Sequence, residues 1–144
     1  MRASGTFSVV SFVPATVSTA SAETAPVPVE TALPVGVSTM EKQYQGEVAG
    51  RSTTVFTAAY DMAAGVGTYL AMESFEGTLG GHKGAFNFVH SATTTGGSRE
   101  AQFFALVPAS GTGELAGITG TGGMAIDADG THRIWFDYEL ASGA

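Results

Sequence analysis

Glu73 and His90 are the two residues of this chain whose types and positions best suit general acid–base chemistry. They lie in two apolar runs, Gly67–Leu79 and Lys83–Thr95, which are separated by a short linker containing Gly80-Gly81. A two-residue glycine turn between two such runs is typical of a β-hairpin. A turn of even length keeps Glu73 and His90 on one face of the hairpin, whereas a loop of odd length would place them on opposite faces.

The side chains that share this face are mostly aromatic. With Gly80-Gly81 as the turn, Glu73 lies opposite Phe88, and Glu73 and His90 become diagonal neighbours that long side chains can bridge. The opposite face is more mixed, so we expect the aromatic face to point into the core. Its residues are Tyr69, Ala71, Glu73 and Phe75 on the first strand and Phe86, Phe88 and His90 on the second.

A carboxylate and an imidazole among aromatic rings have the means to exchange protons with a substrate. Loss of solvent raises the pKa of a carboxyl group towards the range useful for acid–base catalysis, and a neighbouring imidazole can hold or relay the proton. Glu73 and His90 are therefore predicted to be catalytic, protonating an epoxide or ketone or removing a proton beside a carbonyl group. The alternative is structural: the two groups satisfy each other inside the protein or point outwards.

The rest of the chain has the pattern of short strands separated by glycine-rich turns, with no helical period over any long window. The strand candidates are Thr6–Phe12, Val37–Val48, Thr53–Tyr60, Gly67–Leu79, Lys83–Thr95, Glu100–Val107, Leu115–Ile126 and His132–Leu140. A meander of eight strands favours closure into a barrel, because closure removes the exposed edges. We expect one all-β domain over residues 1–144, an eight-stranded antiparallel barrel that is filled or holds one small ligand.

Period-two alternation also predicts which other side chains face the interior. In the last strand, Phe136 and Tyr138 share the apolar face, and the Tyr138 hydroxyl is a candidate donor to a ligand oxygen. Phe103 and Phe104 must face opposite ways, and we assign Phe104 to the interior. The predicted substrate-binding residues are Tyr44, Tyr69, Phe75, Phe86, Phe88, Phe104, Phe136 and Tyr138.

Residues 13–36 interrupt the strand pattern with four of the five prolines. Proline fixes φ and lacks a backbone donor, so we expect an extended loop here rather than a central strand. Because long loops in compact domains are often functional, a lid over a binding site is the other interpretation. The apolar N-terminal run followed by Ala20-Ser21-Ala22 resembles a secretory signal, but Thr6–Phe12 is more typical of a strand. We therefore expect a cytoplasmic protein, with secretion as the alternative.

Charge and composition argue against several classes of function. Six Lys and Arg against 13 Asp and Glu give a net charge of −7, which disfavours nucleic acid and anionic membrane surfaces as partners. Cysteine is absent, so the chain has no disulfide framework and no thiolate metal site. The three histidines lack compact zinc-motif spacing, and the glycine-rich Ser110–Gly123 lacks the Lys-Ser/Thr of a phosphate-binding loop. We expect no metal and no cofactor.

Several motifs together resemble a known family. They are Tyr44–Ser52, Glu73 with Gly77–Gly81, Gly84-Ala85-Phe86 with His90, Val107–Gly120 and His132–Leu140, and the most specific is SGTGELAGITG at 110–120. The pattern covers about residues 4–12 and 38–141 and is similar to a bacterial family of unknown function with an allene oxide cyclase-like barrel. The resemblance implies that fold. More distantly similar barrels cyclise or isomerise apolar polyenes and epoxides, so it also implies such chemistry here.

Three classes of function follow from these observations. The first is a cofactor-free isomerase or cyclase that acts on an apolar, polyketide- or terpenoid-like small molecule inside the barrel. The second is a carrier or sensor that binds such a ligand without turnover, and the third is a filled barrel with a role in assembly. We favour the enzyme, because a carrier gains nothing from a buried carboxylate unless its ligand has a matching polar group. A homodimer is also expected, since aromatic residues occur on both strand faces.

Overall fold

The computed structural model describes residues 1–15 and 26–141, and it confirms the all-β fold as a closed antiparallel barrel. Each strand pairs with the next in sequence, and the last pairs with the first. The strands are β1 (Arg2–Ala15), β2 (Val35–Gly46), β3 (Val48–Asp61), β4 (Val66–Leu79), β5 (His82–Thr95), β6 (Ser98–Leu106), β7 (Thr119–Ile126) and β8 (His132–Glu139). No helix in the described ranges is long and apolar enough to cross a membrane.

The central hairpin has the register that the sequence predicts. Gly80 and Gly81 form the turn with φ of 56° and 85°, values that glycine adopts without steric conflict. Leu79 pairs with His82, and Glu73 pairs with Phe88. Every inward and outward position of β4 and β5 is thereby fixed.

The first strand is longer than predicted and contains a proline. β1 continues to Ala15, so the segment between β1 and β2 is shorter than the predicted loop at 13–36, and residues 16–25 of it lie outside the described ranges. Pro14 pairs with Ser38 of β2, whereas the pairing of β1 with β8 ends at Phe7. Pro14 therefore lies where β1 has a neighbour on one side only, and a missing backbone donor is tolerated at such an edge.

The predicted strand at Leu115–Ile126 begins later than expected. Residues Gly113–Leu115 form a short 3-10 helix, and β7 starts only at Thr119. Leu115 is fully buried, and the chain reverses at Gly117, whose φ of 77° favours glycine. The strand assignment fails there because Leu115 packs under the end of the barrel instead of lying along its wall.

The two ends of the barrel differ in packing. The closed end, formed around the β4–β5 turn and the 3-10 helix, is capped by side chains that are at most 4% exposed: Val48, Leu79, Leu115, Ile118 and Tyr138. The open end carries exposed apolar side chains, including Phe12 and Ile126 at 54% and 55% exposure.

Candidate functional site

The carboxylate of Glu73 is fully buried and is surrounded by four hydrogen-bond donors. Its Oε1 accepts from the Tyr44 hydroxyl at 2.5 Å and from the Ser52 hydroxyl at 2.8 Å. Its Oε2 accepts from the Lys42 ammonium at 2.7 Å and lies 2.5 Å from Nε2 of His90. We call these five residues the Glu73 cluster; they confirm the predicted contact between Glu73 and His90.

Four adjacent strands bring the Glu73 cluster together, because side chains alternate between the inner and outer faces of each strand. Lys42 pairs with Ser52, so these side chains are neighbours on the inner wall, and Tyr44 is two residues further along β2 on the same face. Ser52 in turn lies beside Phe75, two positions from Glu73. All five residues are at most 4% exposed, so the cluster holds a polar site inside an apolar wall.

The hydrogen bonding continues from His90 towards the open end. Nδ1 of His90 lies 2.8 Å from the hydroxyl of Tyr69, which also accepts a hydrogen bond from the Arg99 guanidinium at 2.8 Å. The Arg99 guanidinium carbon lies 5.5 Å from the centroid of the Tyr69 ring. Glu73, His90, Tyr69 and Arg99 thus form one continuous chain from the buried core to the exposed rim.

A β-bulge places Arg99 rather than Glu100 on this inner face. The register of β5 with β6 shifts between Ser91 and Thr93, and Ala101 opposite it adopts a φ of 50°. Beyond the bulge Arg99 pairs with Thr94, which is on the same face of β5 as His90. Without the extra residue, alternation along β6 would put the Glu100 carboxylate beside the chain instead of a cation.

Burial raises the pKa of Glu73, as expected, but the net shift of this pKa is downward. Loss of solvent raises the pKa, whereas the hydrogen bond from His90 and the charge of Lys42 lower it, and together they bring it to about 2. The prediction that the Glu73 carboxyl has a raised pKa is therefore wrong. The reasons are the hydrogen bond from His90, which has the larger effect, and the charge of Lys42.

Burial is the largest influence on the pKa values of His90, Tyr69 and Tyr44. Burial lowers the pKa of His90, and the charges of Lys42 and Arg99 add to that effect against the opposing influence of Glu73. Burial raises the pKa of Tyr69, while Arg99 lowers it. Burial likewise raises the pKa of Tyr44, with the Glu73 charge contributing. At neutral pH, the cluster therefore holds an ionised carboxylate and a neutral imidazole whose Nε2–H donates to Glu73.

Residues 3–138 match the model of a family described as DUF3224, a protein of unknown function. The chain belongs to the DUF3224 family. It is similar to the crystal structure of a DUF3224 protein of unknown function from Shewanella oneidensis MR-1, with 26% identity and a TM-score of 0.79 over 99% of this chain and 98% of that one. Comparison with curated proteins found no match.

The predicted binding residues of this DUF3224 protein fall into two groups. Phe88 and Phe104 stack on the His90 ring at 5.9 Å, with Phe104 lying against Gly122, where a Cβ atom would collide with its ring. Tyr44 and Tyr69 are part of the hydrogen-bonded chain. The second group belongs to the apolar core: Phe75 packs edge-on against Tyr44, Phe86 and Phe136 pack against Phe88, and Tyr138 lies at the closed end over the Gly80 turn. Ligand contact by this second group stays a prediction.

The sequence interpretation missed three residues of the candidate site: Lys42, Ser52 and Arg99. Lys42 shares a strand face with Tyr44, so the signal for it was the alternation that placed Tyr44 inside. Ser52 lies just outside the predicted strand Thr53–Tyr60, whereas β3 begins at Val48. Arg99 has no local signal, because alternation along β6 without a bulge assigns it to the outer face.

Beyond the Glu73 cluster, towards the open end, several inward-facing side chains of β1, β2 and β3 are apolar. Phe12, Met40 and Phe56 follow the inward positions of β1, β2 and β3 beyond it, and Phe56 stacks on the Tyr69 ring at 5.3 Å. A small cavity of about 70 Å³ also reaches His90 through the wall between β6 and β7. In the part of this DUF3224 chain that the structure describes, no group of three or more His, Asp or Glu side chains could hold a metal ion.

Proposed function

We propose that this protein is a cofactor-free isomerase or cyclase that acts on an apolar small molecule held in the open end of the barrel. The observation that carries the proposal is the hydrogen-bonded chain from the buried Glu73 carboxylate through His90 to the Tyr69 hydroxyl. Tyr69 is half-buried beside apolar side chains, so its hydroxyl is the member of this chain that a substrate can contact. Carriers have no need of such a linked set of proton donors and acceptors.

The role of each side chain follows from its place in the hydrogen-bonded chain. Tyr69 gives its proton to Nδ1 of neutral His90, and the resulting phenolate removes a proton from a carbon beside a carbonyl or epoxide. Glu73 stabilises the imidazolium through Nε2, as a buried carboxylate does in a catalytic triad. The proton then returns to a different atom of the substrate, which gives a product of equal mass and restores the protein.

Arg99 and Lys42 set the charges that this sequence of steps needs. The Arg99 guanidinium donates to the Tyr69 oxygen and stabilises a phenolate there, which opposes the effect of burial. Lys42 keeps Glu73 ionised, so that the carboxylate accepts rather than supplies the proton at Nε2. Glu73 is thus a positioning residue in this scheme, and Tyr69 with His90 exchanges the proton.

The expected resemblance of the fold to allene oxide cyclase-like barrels is a second argument for this class of reaction. The motifs that include Glu73 and His90 resemble a bacterial family of unknown function, and more distantly similar barrels act on apolar polyenes and epoxides. The apolar side chains Phe12, Met40 and Phe56 at the open end suit a polyketide- or terpenoid-like skeleton.

The test is turnover in D₂O with a panel of apolar ketones and epoxides of polyketide and terpenoid type. Retained compounds are identified by native mass spectrometry, and products by chromatography and deuterium content. We expect an isomer or α-deuterated product from the wild type, with a loss of roughly 10²-fold or more in Tyr69→Phe. The matched control is Tyr60→Phe, which removes the hydroxyl of a tyrosine that is 45% exposed. A compound that is retained without conversion or deuterium exchange would favour a carrier. If no compound is retained, the filled barrel with a role in assembly would be favoured.

A further inference from the structure

The side-chain hydroxyl of Thr54 is buried and makes no hydrogen bond within the described part of the chain. The residue is 1% exposed on the inner face of β3, and its Oγ1 has no hydrogen-bond partner among residues 1–15 and 26–141. Ser52, the preceding inward residue of the same strand, donates to Glu73. Oγ1 of Thr54 and Nδ1 of His82 are the two buried side-chain polar atoms that lack a hydrogen-bond partner among the described residues.

An unpaired buried hydroxyl destabilises a protein, because it loses its hydrogen bonds to water and gains none in return. Valine has nearly the same shape as threonine and would fill the position without that penalty. Strands also favour valine at buried positions. A threonine here is consequently unfavourable for folding alone, which points to a use of the hydroxyl in a bound state.

The position of Thr54 indicates what kind of ligand its hydroxyl would bind. Thr54 pairs with Met40 on one side and with Glu73 on the other. The next inward row contains Phe56, Ala71 and His90. Thr54 thus lies where the polar Glu73 cluster gives way to apolar side chains towards the open end.

We infer that Thr54 is a specificity-determining residue that binds an oxygen atom of the ligand. The inference rests on the proposed function and narrows its substrate class. The ligand carries a carbonyl, epoxide or hydroxyl oxygen on the part that enters first, and its apolar remainder lies against Phe12, Met40 and Phe56. The same oxygen is then held near the Tyr69–His90 pair, where proton exchange beside it can occur.

Two probes of nearly equal shape test this inference: 2-acetylnaphthalene, which has a ketone oxygen, and 2-ethylnaphthalene, which lacks it. Binding to the full chain is measured by the fluorescence of the naphthalene ring for the wild type, Thr54→Val, Thr54→Ser and Thr53→Val. Thr53 is the matched control, because it is exposed on the outer face of the same strand. We expect the wild type, Thr54→Ser and Thr53→Val to prefer the ketone about 5- to 10-fold, and Thr54→Val to bind both probes equally.

Thermal unfolding without ligand supplies the second measurement. We expect Thr54→Val to have a Tm equal to or above that of the wild type, because it removes an unpaired polar group. A ketone preference that persists in Thr54→Val, or that Thr53→Val also removes, would overturn the inference. A Tm several degrees lower in Thr54→Val would overturn it too, since the hydroxyl would then serve the fold. If the wild type binds both probes equally, the inference about Thr54 is wrong but the proposed function is not. If the wild type binds neither probe, both the inference and the proposed function are wrong.

Discussion

Oε2 of Glu73 lies 2.5 Å from Nε2 of His90 and 2.7 Å from Nζ of Lys42, so one carboxylate oxygen contacts both an imidazole and an ammonium group. The Glu73 and Lys42 charges balance, and a proton on His90 would leave the buried cluster with a net positive charge. Burial and the Lys42 charge accordingly lower the pKa of His90. The arrangement keeps the imidazole neutral and able to accept a proton at Nδ1, from the side of Tyr69.

The first prediction concerns the stability of this buried ion pair. Glu73→Gln or Lys42→Met alone leaves an uncompensated buried charge, and we expect each to lower the free energy of unfolding by about 3–5 kcal/mol. The double variant removes both charges and should recover most of that loss. Urea denaturation of the four proteins at neutral pH measures the effect.

The exposed pair Arg51–Glu76, with N–O distance 2.7 Å, provides the control for the buried pair. Glu76→Gln should change the free energy of unfolding by less than about 1 kcal/mol, because water screens exposed charges. Additive losses in the double variant of Glu73 and Lys42 would show that the two groups are not paired in solution.

The second prediction is a dependence of stability on acid. The pKa of Glu73 is lowered from 4.5 to about 2, so its ionised form stabilises the fold above pH 4.5 and that contribution is lost as the pH falls from 4.5 to 2. The lowered pKa of His90 acts in the same direction, with loss beginning as the pH falls through 6.5. Denaturation curves between pH 7 and pH 2 should show on the order of 3 kcal/mol lost between pH 4.5 and 2 through Glu73.

Comparison with Glu73→Gln isolates the contribution of Glu73 from that of the other carboxylates. The difference in free energy of unfolding between wild type and variant should shrink as the pH falls through the 4.5-to-2 window. A difference that stays constant over this range would mean that the Glu73 carboxyl has an ordinary pKa and is not held by Lys42 and His90.

The contact between Glu73 and His90 was predictable because all of its determinants are local. Alternation along two strands and the Gly80-Gly81 turn fix the register within 30 residues, and the structure has that register. The same reasoning placed Phe88 on the shared face. Closure of eight strands followed from the number and spacing of the turns.

The remainder of the site depends on pairings that one sequence does not specify. Lys42 reaches Glu73 only because two successive hairpins, β2–β3 and β3–β4, have particular registers, and its charge acts with His90 to lower the Glu73 pKa. Arg99 faces the interior because of the bulge at Ala101, where neither glycine nor proline marks the irregularity. Local patterns thus predict the hairpin, while the electrostatics of the site arise from the tertiary fold.

The third prediction tests that bulge. Ala101 has a φ of 50°, a left-handed conformation that is unfavourable for a residue with a Cβ atom. We expect Ala101→Gly to raise the free energy of unfolding by about 0.5–1 kcal/mol, because relief of strain exceeds the entropy that glycine gains in the unfolded chain. Ala105→Gly, in the regular part of β6, should lower it by about 0.5–1 kcal/mol. Equal destabilisation by both substitutions, measured by urea denaturation, would indicate a regular β6 and an outward-facing Arg99.

The fourth prediction is a homodimer through the outer face of β3 to β6. Two adjacent rows of outward positions there carry no charged residue, and several of their apolar side chains are 40–57% exposed. The rows are Val55–Met72–Val89–Ala105 and Thr57–Leu70–Ser91–Phe103. On one side they are bordered by the polar row Thr53–Ser74–Asn87 and then by the Arg51–Glu76 pair, an order typical of an apolar interface centre with a polar rim.

We expect a second copy of the chain at this face, because a two-fold axis places the same patch of both subunits in contact and an uncharged patch avoids like-charge repulsion. We expect sedimentation equilibrium to show a dimer at micromolar concentrations and Leu70→Glu to be monomeric, with its dissociation constant raised at least 100-fold. Ser74→Glu adds the same charge to the polar row of the same strand and should weaken the dimer far less. A monomeric wild type at tens of micromolar, or equal dissociation by both substitutions, would exclude this face as the interface.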